Sequence, residues 1–264
     1  MVSWTAISSG EHADAYWRPR QGFSFAAEQH VVEVLIEELT ALIPHYACGF
    51  IKDEAGSYRF IAILGLGGER NLFVNLDNKW LCDYVPAALR AYPFALADKP
   101  GATAGEKILC IEAGHLTIES EATRIFDDDG NLDSEVAGLL DFLNKCDKGR
   151  TRSQGACAAL KEAGVISPWE LSINRGEDQE PQKVKDIYRI DESALNKLDG
   201  SVLADLQNSG ALAMAYGQLF SMHQIRNFDK NLKFLAQQQQ QSDSQSSVAG
   251  LFGEDEGSLN FDEF

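Results

Sequence analysis

Two short apolar runs, residues 46–52 and 58–64, flank the turn Asp53-Glu54-Ala55-Gly56-Ser57. That spacing constrains the chain most. Runs of this length around a glycine-bearing turn pair as an antiparallel hairpin, not as a parallel sheet with helical crossovers. Gly65-Leu66-Gly67-Gly68 marks the next turn. Residues 71–76 read as a third strand, and Asp77-Asn78 turns the chain before Trp80. Residues 107–111, 116–119, 171–174 and 186–190 are further strand candidates, the last two joined by a charged hairpin loop, GEDQEPQK.

Helical spacing appears between these runs. Leu35, Ile36, Leu39, Leu42 and Ile43 share a face, and Pro44 ends it. From Asp133, a plausible N-cap, Val136, Leu139, Leu140, Leu143 and Cys146 line one side of a long helix. Asp191 caps a short helix, Ser201 starts another and Gly210 punctuates. A long helix then spans 212–235, with Leu212, Tyr216, Leu219, Phe220 and His223 expected on its buried face. The fold class is α+β. An antiparallel sheet with short helices fills a strand-rich stretch, 1–120, and packs with a helix-rich stretch, 121–236, in one domain. Residues 237–264 begin with five glutamines and carry six acids and no Lys or Arg. They form an expected disordered acidic tail, because polar low-complexity chain cannot repay its ordering entropy by burial. Leu251, Phe252, Phe261 and Phe264 among the acids also make it a candidate docking motif.

Charge narrows the function classes. The net charge of −17 repels phosphate backbones and argues against nucleic-acid binding. Lys145, Lys148, Arg150 and Arg152 form one basic spot, expected to straddle a helix break at Gly149. No apolar run is long enough to span a bilayer, so no membrane insertion is expected. The opening MVSWTAISSG has no signal-peptide pattern, and the five cysteines include no CxxC pair. The expectation is a reduced, cytoplasmic protein, with export lacking a cleaved signal as the alternative.

Chemical motifs are sparse. GLGGER at 65–70 lacks the Lys-Ser/Thr of a phosphate loop and reads as a tight turn. FDDDGNLDSE offers Asp127, Asp129 and Asp133 as weak calcium ligands, but its glycine comes too early, and a turn with a helix cap explains it better. Five scattered histidines form no ligand motif, and His223 reads as a core histidine. Glu33, Glu37 and Glu38 read as a solvated helix face. No nucleophile motif, cofactor motif or catalytic residue is identified.

The densest segment is NLFVNLDNKWLCDYVPAALRAYPFAL, 71–96. Trp80, Tyr84 and Tyr92 combine apolar bodies with polar tips, and Arg90 supplies a forked donor. These four are the candidate binding residues for a small ligand or protein partner. A short helix is expected over 85–91, with Pro86 in its first turn and Asp83 near the N-cap. The helical spacing of Val85, Leu89 and Tyr92 is also what a core requires.

The same segment, extended to ILGLGGERNLFVNLDNKWLCDYVPAALRAYPFAL, resembles the signature block of the SapC family of bacterial proteins. LCIEAGHLTIES and IFDDDG resemble that family's middle. PWELSI, IYRIDESALNKLDGSVLADLQNSGAL and AYGQLFSMHQI resemble its end. The similarity runs from about Tyr16 to Leu232. It implies an accessory or binding role associated with surface-layer or outer-membrane nutrient-uptake systems, and it supplies no catalytic residues. An enzyme or enzyme partner with a pocket near Trp80–Tyr92, and a structural surface-coat subunit, are the alternatives.

Overall fold

The computed structural model describes residues 3–66, 70–101, 105–173 and 182–251. Residues 67–69 of the GLGGER turn, residues 174–181 at the start of the GEDQEPQK loop and residues 252–264 lie outside the described residues. In chain order the strands are β1 (Trp4–Ala6), β2 (Tyr16–Trp17), β3 (Val31–Glu33), β4 (Cys48–Lys52), β5 (Tyr58–Ile63), β6 (Phe94–Asp98), β7 (Lys107–Glu112), β8 (Leu116–Thr117), β9 (Thr123–Arg124), β10 (Ile166–Pro168), β11 (Leu171–Ile173), β12 (Gln182–Val184) and β13 (Tyr188–Ile190). The helices are α1 (Ser9–His12), α2 (Leu39–Leu42), α3 (Ala87–Arg90), α4 (Ser134–Glu162), α5 (Glu192–Leu195), α6 (Gly200–Asn208), α7 (Ala211–Ser221) and α8 (Asn227–Leu251). The fold is α+β with antiparallel pairing throughout the described ladders.

The hairpin β4–β5 forms with Phe50 opposite Phe60, and Asp53 closes its turn by accepting from the Ser57 amide. It sits inside a five-stranded sheet of order β10-β13-β4-β5-β3. Strands from both halves of the sequence therefore build one sheet. The loop after β11 returns to β12, not to 186–190 as expected, and β13 instead crosses to β4 and β10. Gly49 permits that crossing, since a Cβ there would lie 3.1 Å from the Tyr188 carbonyl.

Burial organises two cores. The larger lies on the five-stranded sheet, under α2, the C-terminal half of α4 and α6 to α8. The smaller gathers Trp17, Phe94, Ile111, Ile125 and Val136 around the two three-stranded sheets. Helix α4 spans both, with Val136 to Leu143 in the small core and Ala156 to Leu160 in the large one. Asp133 caps it as expected. The expected break at Gly149 is absent, and the helix is continuous. Gly149 is there because the Leu35 and Glu37 side chains press on it, leaving about 3 Å for any Cβ. The basic spot is internally paired: Lys145 with Asp141, Arg150 with Glu33 and Asp147, and Arg152 with Glu37.

Two helical expectations change. Residues 212–235 are not one regular helix, because a 3-10 segment, Met222–Arg226, separates α7 from α8. The buried face of α7 is also rotated from the expected one: Leu212 and Leu219 pack against the core as expected, but only partly buried. Ala211, Met214, Ala215, Gly217, Gln218 and Ser221 face the core, whereas Tyr216, Phe220 and His223 are exposed. The small residues allow close approach: a Cβ on Gly217 would lie 2.8 Å from Leu39 Cδ2. The backbone of α8 stays helical through Leu251, past the expected start of the disordered tail at Gln237, in keeping with the good helix propensity of glutamine.

Candidate functional site

Residues 71–76 are not a strand. Asn71 is fully buried; its side chain accepts from the Phe73 amide at 2.9 Å and donates to the Ala26 carbonyl at 2.9 Å. Asn75 likewise accepts from the Lys79 amide. Side chains that bind nearby backbone replace ladder bonds, and only a single bridge, Val74 to Trp80, remains. The loop is stitched instead to residues 22–27. The Asn71 amide donates to Ala27, and the Phe23 amide donates to Asn78 at 2.7 Å. Gly22 makes the second contact possible. Its φ is 83°, and a Cβ there would meet the Asn78 carbonyl oxygen at 2.5 Å.

This stitching sets a row of half-buried rings side by side. Trp80 lies 5.1 Å from Phe23, Phe23 lies 6.1 Å from Phe25, and Phe25 stacks on Tyr92 at 3.9 Å. Tyr92 meets His115 edge-on at 5.2 Å. Arg20 covers Phe23, its guanidinium 3.9 Å from the ring centre, and donates to the Gly22 carbonyl. Partial burial weakens its hold on the proton. At the other end, Tyr92 Oη donates to Glu112 at 3.3 Å, and His115 Nε2 is 3.7 Å from the same carboxylate. Burial and the Glu112 charge raise the Tyr92 pKa.

Two polar networks support this row from inside. In the first, Tyr46 is fully buried. Its hydroxyl donates to the Tyr84 carbonyl, accepts from Trp80 Nε1 at 2.8 Å and lies 2.7 Å from Cys82 Sγ. Desolvation holds both Tyr46 and Cys82 protonated well above their ordinary range. In the second, Glu38 is only 5% exposed. One of its oxygens accepts from Tyr84 Oη at 2.8 Å and from the Ala87 amide at 2.7 Å, and the other accepts from the Leu35 amide. Arg90 donates to Tyr84 Oη at 3.2 Å and lies between the Tyr84 and Phe142 rings. Burial and the Glu38 carboxylate push the Tyr84 pKa upward.

Glu38 corrects two expectations. It is no solvated helix residue, and it, rather than Asp83, serves the first amide of α3, whose N-cap is Pro86. A carboxylate at a helix start meets unpaired N–H groups there. Leu35-x-x-Glu38 is not a capping box, since leucine offers no acceptor, so nothing local to the sequence reveals the contact to Ala87.

Three of the four candidate residues meet at Tyr84: its hydroxyl links Arg90 to Glu38, and its carbonyl accepts from Trp80 Nε1 at 3.2 Å. Tyr92 joins Trp80 only through the ring row, by way of Phe23 and Phe25, two residues that sequence reasoning did not single out. Asp127, Asp129 and Asp133 do not gather around a common point. Asp127 accepts from the Asp129 and Asn131 amides, and Asp133 caps α4. Among the described residues, no three His, Cys, Asp or Glu groups could hold a metal ion. Among the described residues, no helix is long and apolar enough to cross a membrane.

Fold and site together define an α+β protein that displays a row of aromatic rings across its loops. Its sequence matches the SapC family over residues 7–228, and the chain belongs to that family. No curated protein and no solved structure matches it.

Proposed function

We propose that the chain is a non-enzymatic accessory or binding protein whose working surface is the ring row Trp80, Phe23, Phe25 and Tyr92, with Arg20 at one end. The observation that carries this reading is the row itself. Four partly exposed rings are held in register by the buried Asn71 clamp. Aromatic and arginine side chains set in rigid surroundings dominate recognition energetics, because they bury much area at little entropic cost. Arg20 has no carboxylate within ion-pair distance among the described residues. The row suits a partner segment or small ligand with a flat apolar face and an anionic group that meets Arg20. Family membership supports placing that partner in surface-layer or nutrient-uptake systems.

The test is a pull-down from native cells with the wild-type chain and with Phe23→Ala and Arg20→Ala variants, checked for unchanged thermal midpoints. A partner retained by wild type and lost by both variants is the expected result. Identical recovery by all three would remove the ring row as the working surface.

A further inference from the structure

Helices α7 and α8 carry a second unclaimed surface. Their core-facing side is marked by Met214, Gln218, Ser221, Gln224, Phe228 and Leu235, all buried. On the outward side stand Tyr216 and Phe220, stacked at 6.0 Å, then Arg226, Lys230, Lys233 and Phe234. Phe220 is 62% exposed and Phe234 43% exposed. None of the three cations forms an ion pair with a carboxylate whose side chain is described. Asp229 lies one turn from both Arg226 and Lys233, so the stripe carries three cations to one acid; a net-positive stripe interleaved with exposed rings is out of character for a chain of net charge −17.

The same chain contains the complementary segment. Residues 252–264, FGEDEGSLNFDEF, hold Glu254, Asp255, Glu256, Asp262 and Glu263, with phenylalanines at 252, 261 and 264 and no cation. Reach permits the contact. From Leu251 back to Phe234 is about 26 Å along α8, at ~1.5 Å per residue. Residues 252–264 span up to roughly 45 Å when extended. Attachment to the same molecule keeps the segment at an effective concentration on the order of millimolar. We propose that residues 252–264 fold back and dock on the outward face of α8. Phe261 or Phe264 packs against Phe234, and Asp262 and Glu263, the acids far enough along the segment to reach, lie beside Lys230 and Lys233. Docking covers the exposed ring and neutralises the basic stripe of α8.

Zero-length carbodiimide cross-linking of the full chain tests this, using an equal mixture of unlabelled and ¹⁵N-labelled protein. The expected product is an amide between Lys230 or Lys233 and Asp262 or Glu263, within one isotopic copy. It should be lost in Phe234→Ser and in the double variant Phe261→Ser/Phe264→Ser. Both variants should keep the wild-type circular dichroism spectrum, because Phe234 is already largely exposed. Absence of the product overturns the proposal. So does a product joining differently labelled copies, which would make a second molecule the occupant. So does a product undiminished in both variants, which would reduce the contact to charge alone. None of these outcomes bears on the ring row.

Discussion

Single buried polar side chains hold this fold at points where backbone pairing fails. Strands β13 and β4 pair at one register only, Tyr188 with Phe50, so their other facing groups need partners. Gln218 from α7 supplies them: its Oε1 accepts from the Ile190 amide at 3.0 Å, and its Nε2 donates to the Cys48 carbonyl at 3.1 Å. Ser221 Oγ accepts from the Cys48 amide at 2.9 Å. Gln218→Leu would strand two buried backbone groups, at a cost of about 1–3 kcal/mol each. Urea unfolding should show a loss of roughly 2–6 kcal/mol, and a loss under 1 kcal/mol would contradict the bridging role. Glu38→Gln should also destabilise, by about 1–3 kcal/mol, because an amide group would then face one of the three donors now satisfied by carboxylate oxygens.

At the scale of elements, α7 is the test of orientation. Apolar residues surround it, and small ones face inward. Phe220→Ser should change stability by less than about 0.5 kcal/mol, as exposed substitutions do. Met214→Ala should cost about 2–5 kcal/mol, as for buried methionine. The reverse ranking would mean that the helix is turned the other way. Gly217→Ala sets an intrinsic helix gain of about 1 kcal/mol against overpacking on Leu39 of about 1–3 kcal/mol, so a net loss is expected in thermal unfolding. The loop 71–80 and the 3-10 segment 222–226 also belong to this scale. Sequence periodicity could not foresee either one, because Asn71 meets Ala26, 45 residues away, and Gln224 meets Ile43, 181 residues away.

For the whole molecule, pH dependence follows from its buried thiols. Burial pushes Cys48 and Cys157 from the ordinary 9.0 up to about 12. Below pH 9 both states keep these protons, so neither thiol makes stability depend on pH. Above pH 9 the unfolded chain releases them while the folded chain holds them, and stability falls as pH rises toward 12. Each thiol adds up to about 1.4 kcal/mol per pH unit to that slope. Urea midpoints measured from pH 8 to 11 should decline above 9, and Cys157→Ala should flatten the decline. An unchanged slope would show that this thiol titrates normally in the folded state.

Local chemistry was legible in the sequence. The hairpin turn at 53–57, the caps Asp133 and Asp191, the left-handed Gly210 and the α+β class each depend on residues a few positions apart. Trp80 and Tyr92 stood out by type, because amphipathic rings are uncommon and costly to leave exposed. Which neighbours they have was decided only by tertiary structure. Phe23 and Phe25 joined them because Asn71 and Gly22 bring a distant segment alongside. The same holds for α7. Its sequence offers two apolar faces, and periodicity favours the bulkier. The sheet accepts the other, because Gly217 and the alanines let the backbones approach while Gln218 and Ser221 satisfy the open groups of β4 and β13. Hydrophobicity alone does not choose between two apolar faces; close packing and hydrogen-bond satisfaction do.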